Sequence, residues 1–202
     1  MCDPAVSLYV AENDPRLSTD QKIQHILRLH LLEQDDSVAV ARDSRGKPYL
    51  PQLPHIHISV THSGKWFMCA VSPVPVGIDL QEPSPLHTET GKQARQRYCR
   101  IAQRFFHPVE AAYIVQDPDT RFFRIWTAKE SYVKYTGRGM DAMYDRFCVL
   151  PNGEFPALSA SLPWQAEQVF FRQTCFDDGY TFCMCTAQPL SWQWIPLPTE
   201  TE

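Results

Sequence analysis

The stretch Arg121 to Gly137 constrains this chain more than any other. Asp119 or Thr120 can cap a helix at its start, and Gly137 supplies a stop. Phe122, Ile125, Trp126, Lys129 and Val133 recur at helical spacing, which predicts a helix with an aromatic-rich buried stripe. Glu130 and Lys134 stand beside that stripe, one turn apart and facing the same way. Taken alone, they read as a solvated surface pair worth about 0.2–0.5 kcal/mol.

At 202 residues the chain has room for one domain or two small ones, each with ample core. Its 44% hydrophobic and 21% charged residues are an ordinary globular balance, and a net charge of −4 argues against a broadly basic nucleic-acid binder. No apolar run approaches the ~20 residues that a membrane helix needs. Met1-Cys2-Asp3-Pro4 has neither the basic nor the apolar region of a signal peptide. The seven cysteines form no C-x-x-C pair, and Cys183 and Cys185 alternate within an expected strand. Reduced thiols in a cytoplasmic protein are the expectation.

Along the chain, Ser7 to Val10 suggests a first strand, and Ser18 with Gln21 a capping box. Ile23, Ile26, Leu27, Leu31 and Gln34 then mark an amphipathic helix. Ser37 to Ala41 is expected as a strand, and Asp43 to Pro48 as a turn. His55 to Val60 alternates as a strand, with Thr61-His62-Ser63-Gly64 expected as the tight turn after it. Lys65 to Val71 is apolar on both faces, as in a central strand. Val76 to Gln81 alternates cleanly, so Gly77, Asp79 and Gln81 share one face. The glycine there is expected to leave room for a ligand.

Glu82 to Gly91 is the candidate linker, dividing the chain into lobes 1–91 and 92–202. Lys92 to Phe106 has helical periodicity, with Tyr98, Ile101, Ala102, Phe105 and Phe106 apolar; Lys92, Arg95, Arg97, Arg100 and Arg104 lie on its polar side. His107-Pro108-Val109-Glu110 fits a helix start. Arg146 to Leu150, Gln168 to Cys175, Tyr180 to Thr186 and Trp192 to Ile195 are expected strands, with Asn152-Gly153 a turn. His57 to Val71 and Phe171 to Thr186 share a strand, glycine turn and cysteine-containing strand. Their likeness suggests duplication of an α+β unit, with a cleft between halves.

Three short patterns stand in order: Ser59-Val60-Thr61-His62-Ser63-Gly64, Gly77-Ile78-Asp79-Leu80-Gln81, and Trp126-Thr127-Ala128-Lys129-Glu130-Ser131-Tyr132-Val133-Lys134. Gly46-Lys47-Pro48-Tyr49, Arg104-Phe105-Phe106 with Glu110, and Gly137-Arg138-Gly139 accompany them. From about Arg45 to about Ala187 the chain resembles the 4′-phosphopantetheinyl transferases of the larger, two-lobed, surfactin-synthetase type.

That resemblance implies an α+β fold of two similar lobes in pseudo-twofold arrangement, with the active site at their interface. It implies transfer of the phosphopantetheine arm of coenzyme A to a serine of an apo acyl or peptidyl carrier protein, releasing 3′,5′-ADP with Mg²⁺. Asp79 and Glu130 would be the metal carboxylates, and Gln81 a third contact to the ion. His62, supported by Thr61, and Lys134 would meet phosphate, and Glu130 can also accept the serine proton. Lys47 matches a position that touches coenzyme A phosphate; Lys22 and Arg28 match the 3′-phosphate position poorly. The family often carries Glu where Gln81 stands, and Gln81 brings an oxygen without charge. Glu82 is no replacement, because one step along a strand turns it to the other face.

The basic helix Lys92 to Arg104 can steer an acidic carrier or simply face water. His55 and His57 have metal-like spacing, but the structural reading is preferred. A monomeric, cytoplasmic, Mg²⁺-dependent transferase is the expectation. The alternatives are a catalytically weakened coenzyme A or carrier-protein binding module, and another Mg²⁺-dependent enzyme acting on a nucleotide diphosphate.

Overall fold

The computed structural model describes residues 6–31, 38–83, 91–139, 143–150 and 169–197. The elements run β1 (Val6–Glu12), α1 (Thr19–Leu31), β2 (Ala41–Arg42), β3 (Pro48–Tyr49), β4 (His57–Ser63), β5 (Trp66–Ser72) and β6 (Val76–Gln81). Then come α2 (Gly91–Phe105), α3 (Pro108–Gln116), α4 (Pro118–Thr136), β7 (Phe170–Phe176), β8 (Tyr180–Thr186) and β9 (Trp192–Pro196).

The strands form two main sheets. One has the order β4-β5-β1-β9 and the other β6-β8-β7; β2 and β3 make a small hairpin of their own. In each main sheet an antiparallel hairpin, β4–β5 or β7–β8, lays its second strand antiparallel to an earlier one, β1 or β6. Strand, helical segment and hairpin thus occur twice in the same order, which is the expected α+β repetition. Sheet membership crosses the Gly91 division: β6 pairs with β8, and β9 runs parallel to β1.

Alternation in the strands builds three cores. Ile23, Ile26 and Leu27 of α1 pack on Tyr9, Ile58, Phe67, Cys69 and Val71. The other face of that sheet, with Leu8, Met68 and Ala70, meets Ile78, Leu80, Phe182 and Met184 of the second sheet. The second sheet's outer face, with Phe171, Cys183 and Cys185, is covered by α2, α3 and α4. Helix, sheet, sheet and helices therefore stack in four layers. Burial pushes the Cys69 and Cys183 thiols up to about 12, as expected of cysteines used as small hydrophobes.

Several local expectations hold. Ser18 and Gln21 make both bonds of a capping box. His107 caps α3, with Glu110 bonding back to its backbone N–H. Gly137 ends α4 in the left-handed region at φ 67°. Others are corrected. The α4 cap is Asp117, not Asp119 or Thr120, because Pro118 takes the first helical position, where its missing N–H costs nothing. Among the described residues of the early strand expected over Ser37 to Ala41, only Ala41 is paired, in β2 together with Arg42. Arg146 to Leu150 is no strand: Tyr144–Arg146 is a 3-10 turn, and Phe147 to Leu150 after it pack into the core beneath the helices. Phe105 is 49% exposed rather than on the apolar face, and the Arg104 guanidinium lies over its ring. Ser37, Gln34, Asn152 and Gly153 lie outside the described residues.

Candidate active site

Strand β6 and helix α4 bring the chemistry-bearing residues together, and Gly77 sets how closely they approach. A Cβ on Gly77 would collide with the Ser131 carbonyl and the Tyr135 backbone nitrogen of α4. The glycine therefore makes room for a helix backbone, not for a ligand as the strand pattern suggested. With the two backbones in contact, Asp79 on β6 lies under the side chains of α4. Its carboxylate oxygen Oδ1 accepts from Lys134 Nζ at 2.8 Å, and Asp79 is 2% exposed.

A second strand supports this acid. Strand β4 continues through Thr61, His62 and Ser63, and the turn comes only at Gly64 and Lys65. The polar run that looked like a turn is a ladder. Ser59 Oγ accepts from the Ile78 N–H at 3.0 Å, Thr61 Oγ1 from Leu80 N–H at 3.1 Å, and Ser63 Oγ from Glu82 N–H at 2.8 Å. The edge of β6 turned away from β8 thereby finds acceptors for its N–H groups without a partner strand. Thr61 also donates its hydroxyl proton to Asp79 Oδ1 at 3.2 Å. Gln81 donates its amide N–H to Asp79 Oδ2 at 3.1 Å. Glu82 is engaged elsewhere, accepting from Tyr180 OH at 3.0 Å.

Glu130 joins the cluster from α4. Burial, and then the Asp79 charge, raise its carboxyl above the usual carboxylate range; Lys134 and a hydrogen bond from Tyr144 oppose the shift. That bond runs from Tyr144 OH to Glu130 Oε1 at 2.8 Å. Lys134 thus pairs directly with Asp79, and its charge is also felt by Glu130. Next to Glu130, Lys129 is fully buried and donates to Glu110 Oε2 at 2.7 Å, Tyr144 O at 2.7 Å and Phe147 O at 2.6 Å. Glu110 Oε1 in turn accepts from the Val149 N–H at 2.7 Å. Every charge of this buried pair is met, which is the condition under which such a pair is tolerated.

Asp79, Glu130, Lys134, Thr61 and Gln81 are therefore brought together. His62 is not: it follows Thr61 in an extended strand, so it lies on the opposite face of β4, where it is exposed. Lys47 reaches α4 in another way, donating to the Tyr135 carbonyl at 2.8 Å, and burial lowers its pKa. Lys22 donates to Asn13 Oδ1 at 2.6 Å. Sequence reasoning missed Ser59, Ser63 and Tyr144. The hydroxyls at every second position of β4 were legible as one face, whereas Tyr144 belongs to no periodic pattern.

The donor set suits a hard divalent cation. Asp79 and Glu130 offer carboxylate oxygens, and their mutual repulsion calls for positive charge beyond that of Lys134. Among the described residues no cluster of three or more His, Cys, Asp or Glu forms a closed cage. Magnesium needs none, because it is commonly held by one or two carboxylates together with substrate phosphates and water.

Comparison with known proteins identifies the chain's relatives. Residues 75–185 match the family model of the 4′-phosphopantetheinyl transferase superfamily. A 4′-phosphopantetheinyl transferase from Bacillus subtilis is 34% identical over 161 residues, covering 78% of this chain and 66% of the relative. The 4′-phosphopantetheinyl transferase Sfp from Bacillus subtilis strain 168 is 30% identical over 168 residues, covering 81% and 69%. An L-aminoadipate-semialdehyde dehydrogenase-phosphopantetheinyl transferase from Mus musculus is 29% identical over 116 residues, 52% of this chain and 36% of that one. The chain spans about two thirds of the length of the two bacterial relatives.

Proposed function

Because this chain belongs to the 4′-phosphopantetheinyl transferase superfamily, we propose that it transfers the phosphopantetheine arm of coenzyme A to a serine of an apo carrier protein. The observation that carries this reading is the convergence of Asp79, Glu130 and Lys134 between β6 and α4. In the proposed reaction the serine oxygen bonds to the phosphorus that bears the pantetheine. The bond from that phosphorus to the bridging oxygen breaks, and 3′,5′-ADP leaves.

Asp79 and Glu130 would hold Mg²⁺, which when bound neutralises charge on the pyrophosphate. Lys134 adds a point charge for the phosphates, and the Thr61 hydroxyl fixes the Asp79 carboxylate. Glu130, with its carboxyl above the ordinary range, takes the serine proton. Phosphate contacts by His62 and Lys47 rest on family resemblance alone. No helix among the described residues is long and apolar enough to cross a membrane; a cytoplasmic monomer is part of the proposal.

The carrier is proposed to dock on α2, where Lys92, Arg100 and Arg104 are exposed beside Phe105. Arg95 is tied to Asp119 at 2.5 Å and lends less to such a face. A second reading, a binding module without transfer, is favoured by Gln81, whose amide donates to Asp79 where the family often has an acid.

One assay separates the readings: incubation with coenzyme A, Mg²⁺ and an apo carrier, then mass spectrometry of the carrier. A gain of one phosphopantetheine arm is expected. Binding without mass gain selects the module. Coenzyme A consumption with an unmodified carrier selects a hydrolase.

A further inference from the structure

Tyr144 is held from three sides. Lys129, immediately before Glu130 on α4, grips its backbone carbonyl at 2.7 Å. Its ring packs near-parallel to Trp126, with centroids 6.4 Å apart, and against Phe147 at 6.0 Å and Phe106 at 6.5 Å. Its hydroxyl donates to Glu130 Oε1 at 2.8 Å. Lys129 is itself fixed by the fully buried Glu110. Two neighbouring side chains of α4 thus hold one residue, one by its backbone and the other by its hydroxyl.

We propose that Tyr144 is the positioning residue of the metal centre: its hydroxyl holds one oxygen of Glu130 and so presets the carboxylate that faces Asp79. This rests on Asp79 and Glu130 being the cation ligands. A ligand carboxylate bonded by a fixed donor loses little freedom on binding an ion.

The test is Mn²⁺ binding to the full chain in the presence of coenzyme A, followed by electron paramagnetic resonance, for the parent, Tyr144→Phe and Tyr144→Leu. Loss of the hydroxyl alone should weaken Mn²⁺ binding roughly 10- to 100-fold. Tyr144→Phe keeps the ring and should keep the thermal midpoint, whereas Tyr144→Leu should lower the midpoint but weaken Mn²⁺ to the same extent. Parent-like affinity in Tyr144→Phe overturns the proposal and leaves the metal centre standing. So does a loss of affinity seen only in Tyr144→Leu, which would make the role one of packing. If the parent binds no Mn²⁺, the metal centre fails and this inference fails with it.

Discussion

Asp79 accepts hydrogen bonds from Thr61, Gln81 and Lys134, whereas Glu130 accepts one from Tyr144. The difference lies in where each acid sits: Asp79 beneath the helix among three polar partners, Glu130 on the helix beside the Tyr144 hydroxyl. Alternation placed 79 and 81 on one face and helical spacing joined 130 to 134, but it was the family resemblance that singled these residues out. The partners were not legible, because a threonine in an apparent turn and a tyrosine outside any periodic run give no such signal. Away from the site, His30 gives a residue-scale prediction. Its Nδ1 lies 2.9 Å from Tyr9 OH, and burial lowers its pKa. The neutral ring is the form the fold prefers. Its contribution to stability is therefore complete above the unfolded value of about 6.5 and is lost as pH falls through the lower folded value. His30→Gln, which can still accept from Tyr9, should flatten the decline in thermal midpoint between pH 7 and pH 5.

Between elements, the decisive contact is backbone on backbone, where β6 crosses α4 at Gly77. Gly77→Ala inserts a methyl against main-chain atoms that cannot rotate away. It should cost about 1–3 kcal/mol in urea unfolding. It should also lower transfer activity more than Gly91→Ala, whose Cβ meets nothing within 4 Å. Helix α4 was legible because Phe122, Ile125 and Val133 keep period and Gly137 stops it. Lys129 fell on the same buried stripe, but its partner Glu110 sits on another helix, and no single-helix pattern reports that pairing. The β4 ladder was misread for a related reason: Thr61-His62-Ser63-Gly64 has turn composition, yet its hydroxyls answer the N–H groups of a strand from the other sheet.

For the whole molecule, net charge and local charge point in opposite directions. The chain carries −4 overall, while α2 lacks an acid in its first turn and exposes Lys92, Arg100 and Arg104. If α2 receives the carrier, Arg100→Glu with Arg104→Glu should raise the apparent KM for carrier about tenfold and reduce its salt dependence. The KM for coenzyme A should not change, and an unaltered carrier KM would remove α2 from the interface. The repeated strand–helix–hairpin order was visible in part as two similar hairpins. The exchange of strands was not, because pairing partners far apart in sequence leave no local trace. That exchange bears on synthesis. The sheet built by β1, β4 and β5 gains its fourth member only from β9, joined in parallel from Val6↔Trp192 to Val10↔Pro196. A ribosome must therefore deliver everything from β1 through β9 before that outer margin is closed, and the early strands wait on a late one to finish their sheet.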